Sequence, residues 1–278
     1  MNDKRKMKIS DFKAYKSEGR KFSFVTTYDY TMASIVNESE VDIILVGDSL
    51  GMIMLGYKGT ESVTMEDMIH HTRPVVKGAP NTWVVGDMPF GSYNVSDEEA
   101  VRNANRLIKE TNCDCIKLEG GIEMVTRIKA IVNAGINVMG HIGLTPQTAS
   151  ALGGFTVQGG TPESALKLIK DAIELEKAGC IAIVLECVPS VVGKAVSEAV
   201  SIPILGIGAG PHVDCQVLVG QDMLGMYGDF KPKFAKRFAN VRKVMVDALN
   251  EFHKETQSGQ FPSEEYSFNK EVDIPKLD

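Results

Sequence analysis

The sequence predicts a single (β/α)8 barrel, an α/β fold of the TIM-barrel type, with an N-terminal capping helix. Three observations lead there. Eight short, β-rich apolar runs recur along the 278 residues. Most are followed by a polar stretch with helical periodicity, the alternation that builds a parallel sheet. The runs are near-continuously apolar, as strands covered on both faces must be. Eight such units within one domain favour closure over an open sheet.

The runs are Phe22–Asp29, Asp42–Asp48, Thr82–Pro89, Cys115–Gly120, Asn137–Gly143, Ile181–Cys187, Pro203–Ala209 and Val217–Asp222. Helices are expected over Tyr30–Asn37, Thr64–Lys77, Ser96–Thr111, Ile122–Asn133, Thr161–Ala178 and Pro189–Val200, with a last one from about Pro232 to Lys254. Thr64 and Ser96 open their helices as N-cap hydroxyls followed by early acids, and Thr161 is followed by proline at the first helical position. Ser10–Glu18 is the prefix helix expected to close the barrel bottom. Only Gly208–Asp214 separates the last two runs, so the eighth unit is the least regular. Residues 1–278 read as one domain, with a core of about 20–255 and an extended tail over 256–278.

Composition limits the partners. A net charge of −6 disfavours nucleic acid, whose phosphates require a basic face. No run approaches the ~18 apolar residues of a membrane span, and the polar start lacks a secretory signal. Five cysteines, with no Cys-x-x-Cys pair, suit a reduced cytoplasmic protein.

The polar residues inside the runs carry the functional argument. Asp48, Asp87, Lys117 with Glu119, His141 and Glu186 lie at the C-terminal ends of five consecutive runs. That face is where barrel enzymes place their chemistry. Two-residue alternation puts Lys117 and Glu119 on one side of their strand. Singly, each has an ordinary reading: an acid after a strand caps the next helix, a lysine pairs with a glutamate, a histidine is hydrogen-bonded. Together they describe an oxygen-rich site suited to Mg2+ or another hard divalent ion, formed by Asp48, Asp87 and Glu119. Lys117 offsets the excess negative charge. Such a site would take an anionic chelating molecule such as a 2-oxo acid. Polarising its keto oxygen acidifies the neighbouring C–H, and Glu186 is placed to remove that proton.

Six segments in order carry a resemblance: Val46-Gly-Asp-Ser-Leu-Gly, Val63-Thr-Met-Glu-Asp-Met, Gly86-Asp-Met-Pro-Phe-Gly-Ser-Tyr, Ile116-Lys-Leu-Glu-Gly-Gly, Gly140-His-Ile-Gly-Leu-Thr-Pro-Gln and Leu205-Gly-Ile-Gly-Ala-Gly. Over about Ile9 to Phe252 the chain resembles the ketopantoate hydroxymethyltransferases. The resemblance implies transfer of a hydroxymethyl group from 5,10-methylenetetrahydrofolate to 3-methyl-2-oxobutanoate, giving 2-dehydropantoate in pantothenate biosynthesis. It also implies one Mg2+ per subunit and a homo-oligomer, typically a decamer. Carried over by position, Asp48, Asp87 and Glu119 become the Mg2+ site, in part through water. Ser49 and Lys117, with the two aspartates, become contacts to the 2-oxo acid, Glu186 the proton acceptor and His141 a pocket residue. Two departures stand out. Asp214-Cys215-Gln216 replaces the family's usual Asp-Gly-Gln, expected to alter a turn near the folate side, and Glu61-Ser62 replaces an apolar residue and proline. Mg2+-dependent 2-oxo acid lyases and mutases share the enolate logic, but their Lys-Lys-Cys-Gly-His lid motif is missing. A non-catalytic binding barrel is the reading from another class.

Overall fold

A computed structural model describes residues 4–228 and 232–275. Eight parallel strands close into a barrel in sequence order: β1 (Phe22–Thr26), β2 (Ile43–Val46), β3 (Trp83–Asp87), β4 (Cys115–Glu119), β5 (Val138–Gly143), β6 (Ala182–Glu186), β7 (Ile204–Ile207) and β8 (Cys215–Val219). Closure is made by β8 on β1, where Phe22 pairs with Cys215 and Thr26 with Val219.

Alternation sorts each strand's side chains between two cores. Phe24, Leu45, Val85, Cys115, Met139, Val184, Leu205 and Val217 belong to one buried cluster that fills the lower barrel. Val25, Ile44, Val84, Ile116, Val138 and Ile183 belong to a second, packed under the helices. Helix α1 (Ile9–Glu18) seals the bottom with Phe12, whose ring meets Trp83 edge-on at 5.4 Å. Continuing the inward parity up the strands reaches Asp87 from Val85, Lys117 and Glu119 from Cys115, and His141 from Met139. The interior is therefore apolar below and charged above.

The outer ring consists of α2 (Tyr30–Glu38), α4 (Met65–Gly78), α5 (Asp97–Thr111), α6 (Val125–Asn133), α7 (Pro162–Ala178) and α8 (Ser190–Ala199), each packed on the next. Between α2 and α4 lies one short turn, α3 (Leu50–Ile53). The caps are those expected: Thr64 forms a capping box with Asp67, Ser96 accepts from the Glu99 N–H, and Thr161 precedes Pro162. Among the described residues no helix lies between β7 and β8, and directly after β8 comes a short turn, α9 (Gly220–Met223). Among the described residues no helix is long and apolar enough to cross a membrane.

Four expectations are corrected. The last helix, α10, spans Val241–Ser258 rather than starting near Pro232. Pro232–Asn240 is drawn into turns because Phe234 seats against Gly208 and the Phe238 N–H goes to the Met223 carbonyl. The tail stays helical to Ser258 and makes a 3-10 turn at Glu264–Tyr266; its last residues, 276–278, lie outside the described set. Strand β8 begins at Cys215, two residues before the apolar run suggested, because β1 supplies a partner for it there. Cys215 accordingly lies buried at the lower end of the barrel, in the sheet and not in a turn at the mouth.

Candidate active site

Seven expected site residues sit at or just past the upper strand ends, and the structure brings six of them into one connected cluster. Lys117 is at its centre. Its Nζ is 2.9 Å from Asp87 Oδ1, 3.5 Å from Glu119 Oε1 and 3.2 Å from His141 Nδ1. His141 Nδ1 is 3.2 Å from Glu119 Oε1, and its Nε2 stands 3.3 Å from Glu186 Oε2. Asp87 Oδ2 accepts the Asp48 N–H at 3.2 Å, which ties β2 to β3. Ser49 stands apart, its Oγ 2.8 Å from Tyr28 Oη.

Burial makes this cluster electrostatically demanding. Asp48, Asp87, Lys117, Glu119 and His141 are each at most 4% exposed. Burial, then the charges of Asp87 and Glu119, pushes the Asp48 carboxyl well above the usual carboxylate range. Burial likewise raises Asp87, with the Lys117 ammonium only partly offsetting it. Burial works against Glu119 too, but Lys117 and His141 outweigh it and hold that group low. Desolvation opposes the Lys117 charge, yet Asp87, Glu119 and Asp48 raise its pKa. For His141, burial and Lys117 act downward, but Glu119 and Glu186 prevail and bring it to about 9.

The donor set fits a hard divalent cation. Four carboxylates face one ammonium and one imidazolium, which leaves an excess of negative charge in a buried place. Asp87 Oδ1 is buried and carries the 2.9 Å ion pair with Lys117 as its one close polar contact, so a lone pair stays open to an ion. Among the described residues no three acidic, histidine or cysteine side chains form a ready-made metal cage. Mg2+ does not require one, since one or two carboxylates with water and substrate oxygens are its usual set. Asp48, with one oxygen held by Gln147, and Asp87, with a single partner on each oxygen, keep the most capacity. Both Glu119 oxygens are already engaged, one by Lys117 and His141, the other by the Gln147 N–H at 3.1 Å.

Sequence reasoning gave no role to three polar side chains in this network. Tyr28 Oη joins Thr26 to Ser49, at 3.0 and 2.8 Å. Tyr93 and Gln147 link Glu119 to Asp48. All three lie past the strand ladder, where periodicity carries no signal. The Pro146-Gln147 step, which follows β5 and starts a 3-10 turn, was the one readable pointer. A cleft of about 410 Å3 opens between the loops Glu61–Glu66 and Pro89–Ser92 and the helix α5 residues Glu99, Asn103 and Arg106, and none of the cluster residues lines it.

Known proteins place the chain. The family model for ketopantoate hydroxymethyltransferase matches residues 6–264. The 3-methyl-2-oxobutanoate hydroxymethyltransferase of Heliobacterium modesticaldum is 52% identical, covering 98% of this chain and 99% of that one. The enzyme of the same name from Clostridium novyi is 54% identical, covering 97% and 98%. Among solved structures, phosphonopyruvate hydrolase in complex with oxalate and Mg++ superposes with a TM-score of 0.60 at 12% identity, covering 93% of this chain and 92% of that one. A 2,3-dimethylmalate lyase of the PEP mutase/isocitrate lyase superfamily gives 0.57 at 14%, covering 94% and 92%. These two share the barrel alone. The match over nearly the full length, at about half the positions, is decisive: the chain belongs to the ketopantoate hydroxymethyltransferase family.

Proposed function

We propose that this transferase moves a hydroxymethyl group from 5,10-methylenetetrahydrofolate to 3-methyl-2-oxobutanoate, giving 2-dehydropantoate for pantothenate biosynthesis. The observation that carries the reading is the buried excess of carboxylate around Lys117, with Glu186 reached from it through His141. A Mg2+ held by Asp48 and Asp87 and chelated by the 2-oxo acid would polarise the keto oxygen and acidify the C3–H bond. Glu119 would join that shell through water. Lys117 contributes the positive charge that lets a substrate carboxylate enter among acids. Ser49, held by Tyr28, offers its hydroxyl to the same substrate. Glu186, the least buried of the acids, takes the C3 proton, and His141 fixes its carboxylate at ion-pair distance. C3 then bonds to the methylene carbon of the folate iminium, and water supplies the hydroxyl as the folate leaves.

Glu186→Gln should abolish deuterium exchange at C3 of the 2-oxo acid while metal and 2-oxo acid still bind. Undiminished exchange would remove Glu186 from the base role. Asp87→Ala should weaken both metal and 2-oxo acid binding, and titration calorimetry showing neither change would discredit the cation site. Folate-dependent 2-dehydropantoate formation, lost on adding EDTA, tests the whole reading against a barrel that only binds.

The chain works as a homo-oligomer in this reading. Support comes from α10: the described residues bury none of its side chains, although Met245, Leu249 and Phe252 form an apolar stripe along it. A cytoplasmic setting suits the five free cysteines, four of them buried.

A further inference from the structure

Gln147 is 2% exposed, and its side-chain amide and backbone N–H are engaged in and around the candidate site. It belongs to the 3-10 segment Pro146–Leu152 after β5, yet its side chain crosses the mouth towards β2 and β3. Nε2 donates to Asp48 Oδ2 at 2.8 Å and to the Met88 carbonyl at 2.9 Å. Oε1 accepts the Tyr93 hydroxyl at 2.5 Å, and the backbone N–H donates to Glu119 Oε2 at 3.1 Å. The amide has only one workable orientation. Turned over, its oxygen would face a carboxylate and a carbonyl, and two acceptors would lose their donor. Tyr93 supports that orientation: its hydroxyl accepts the Glu119 N–H at 3.1 Å and lies closer to Gln147 Oε1, at 2.5 Å, than to its other acceptor, the Glu119 carbonyl, at 3.2 Å.

Asp48 needs such a partner. Of its two carboxylate oxygens, one is held by Gln147, and the repulsion of Asp87 and of Glu119 each exceeds the attraction of Lys117. Lys117 reaches Asp87 and Glu119 and leaves Asp48 to the amide. An unheld carboxylate in this setting would rotate away from its acidic neighbours, which spoils it as a ligand.

We infer that Gln147 is a positioning residue: oriented by Tyr93, it fixes the Asp48 carboxylate so that its free oxygen is presented to a divalent cation. The inference rests on the cation site proposed above. Groups behind the ligands of a metal centre typically govern about 10–100-fold of its affinity. Gln147→Leu keeps the bulk and removes both donors to Asp48 and Met88. Tyr93→Phe keeps the ring and removes the hydroxyl that donates to Oε1, so the amide is held by Asp48 and Met88 alone.

The test is Mn2+ binding to the metal-free protein, read by the loss of the free-ion electron paramagnetic resonance signal. Wild type should bind, Gln147→Leu should bind about 10–100-fold more weakly, and Tyr93→Phe should fall between them. In the assay, the KM for the 2-oxo acid should rise more than kcat falls, a split that a general loss of folding would not give. Should Gln147→Leu fail to fold, Tyr93→Phe carries the test by the same two readouts. Equal Mn2+ affinity in wild type and the folded variants would overturn the role of Gln147 and leave the cation site standing. Absence of Mn2+ binding by wild type would overturn both.

Discussion

His141 has two carboxylates within 3.3 Å and an ammonium on the same side as one of them. Its pKa of about 9, against an ordinary value of 6.5, makes it an imidazolium at neutral pH. A folded-state pKa above the unfolded one means the proton binds the native protein more tightly. The stabilisation is therefore complete below about pH 6.5 and is lost as pH rises through about 9. Melting curves of metal-free wild type and His141→Asn should differ most at about pH 6 and converge by about pH 10. A difference independent of pH would show that the ring is held there uncharged. Most charged members of the site were legible because they continue the inward parity of an apolar run: Asp87 follows Val85, and Lys117 follows Cys115, whereas Asp48 has the outward parity of Val46 and is turned inward only beyond the end of β2. Gln147, Tyr93 and Tyr28 were not, since a tyrosine or glutamine in a connection is ordinary. Their burial arises only when β5 and β3 bring their loops together.

Strand β5 reaches Glu186 through a contact that admits no side chain. Gly143 has φ +93°, and a Cβ added there would lie 2.3 Å from the Glu186 carbonyl oxygen. That carbonyl accepts the Leu144 N–H at 2.9 Å, so the close approach is also the hydrogen bond that ends the β5–β6 ladder. Gly143→Ala must strain the backbone and push β6 outward at the proposed base. The backbone conformation alone should cost more than about 1 kcal/mol. Calorimetry should record that loss, and C3 proton exchange should fall with it. Retained exchange in a destabilised variant would show that Glu186 tolerates displacement. Strand existence was legible throughout, whereas strand ends were read too long, at Asp29, Asp48 and Pro89. Residues just beyond the ladder stay buried under the loops, so hydropathy does not fall where pairing stops. Asp29 is instead the N-cap of α2, accepting the Met32 N–H at 2.9 Å. The false start of the last helix has a similar origin. Phe234, Ala235 and Phe238 have helical spacing, but the barrel uses the first two as turn anchors.

The ring of helices has a gap, and the chain carries a helix with no place in the ring. Packing proceeds from α2 to α8 around the strands, but the β7–β8 connection is a turn of glycines and proline. Over that gap Gln216 is exposed, and a groove of about 480 Å3 runs past Lys21, Gly210, Val213, Gln216 and Leu218. Helix α10, with 18 residues, is about 27 Å long, enough to run the height of a barrel wall. Its N-terminus is tied to α9 by the Val241 N–H on the Leu224 carbonyl, and beyond that anchor its apolar residues face outward: Val244 is 67% exposed and Leu249 65%. An uncovered wall and an uncovered helix on one chain are self-complementary, which is the condition for a two-fold interface in which each copy supplies what the other lacks. Each large apolar side chain so buried stabilises by about 1.5–3 kcal/mol, and symmetry counts it twice. Sedimentation should therefore give wild type a mass that is a multiple of 30.3 kDa, and Met245→Glu with Leu249→Glu should shift it to the monomer while circular dichroism stays barrel-like. A monomeric wild type at micromolar concentration would leave α10 without the partner assigned to it. An intact oligomer in the double variant would put the interface on another face of the barrel.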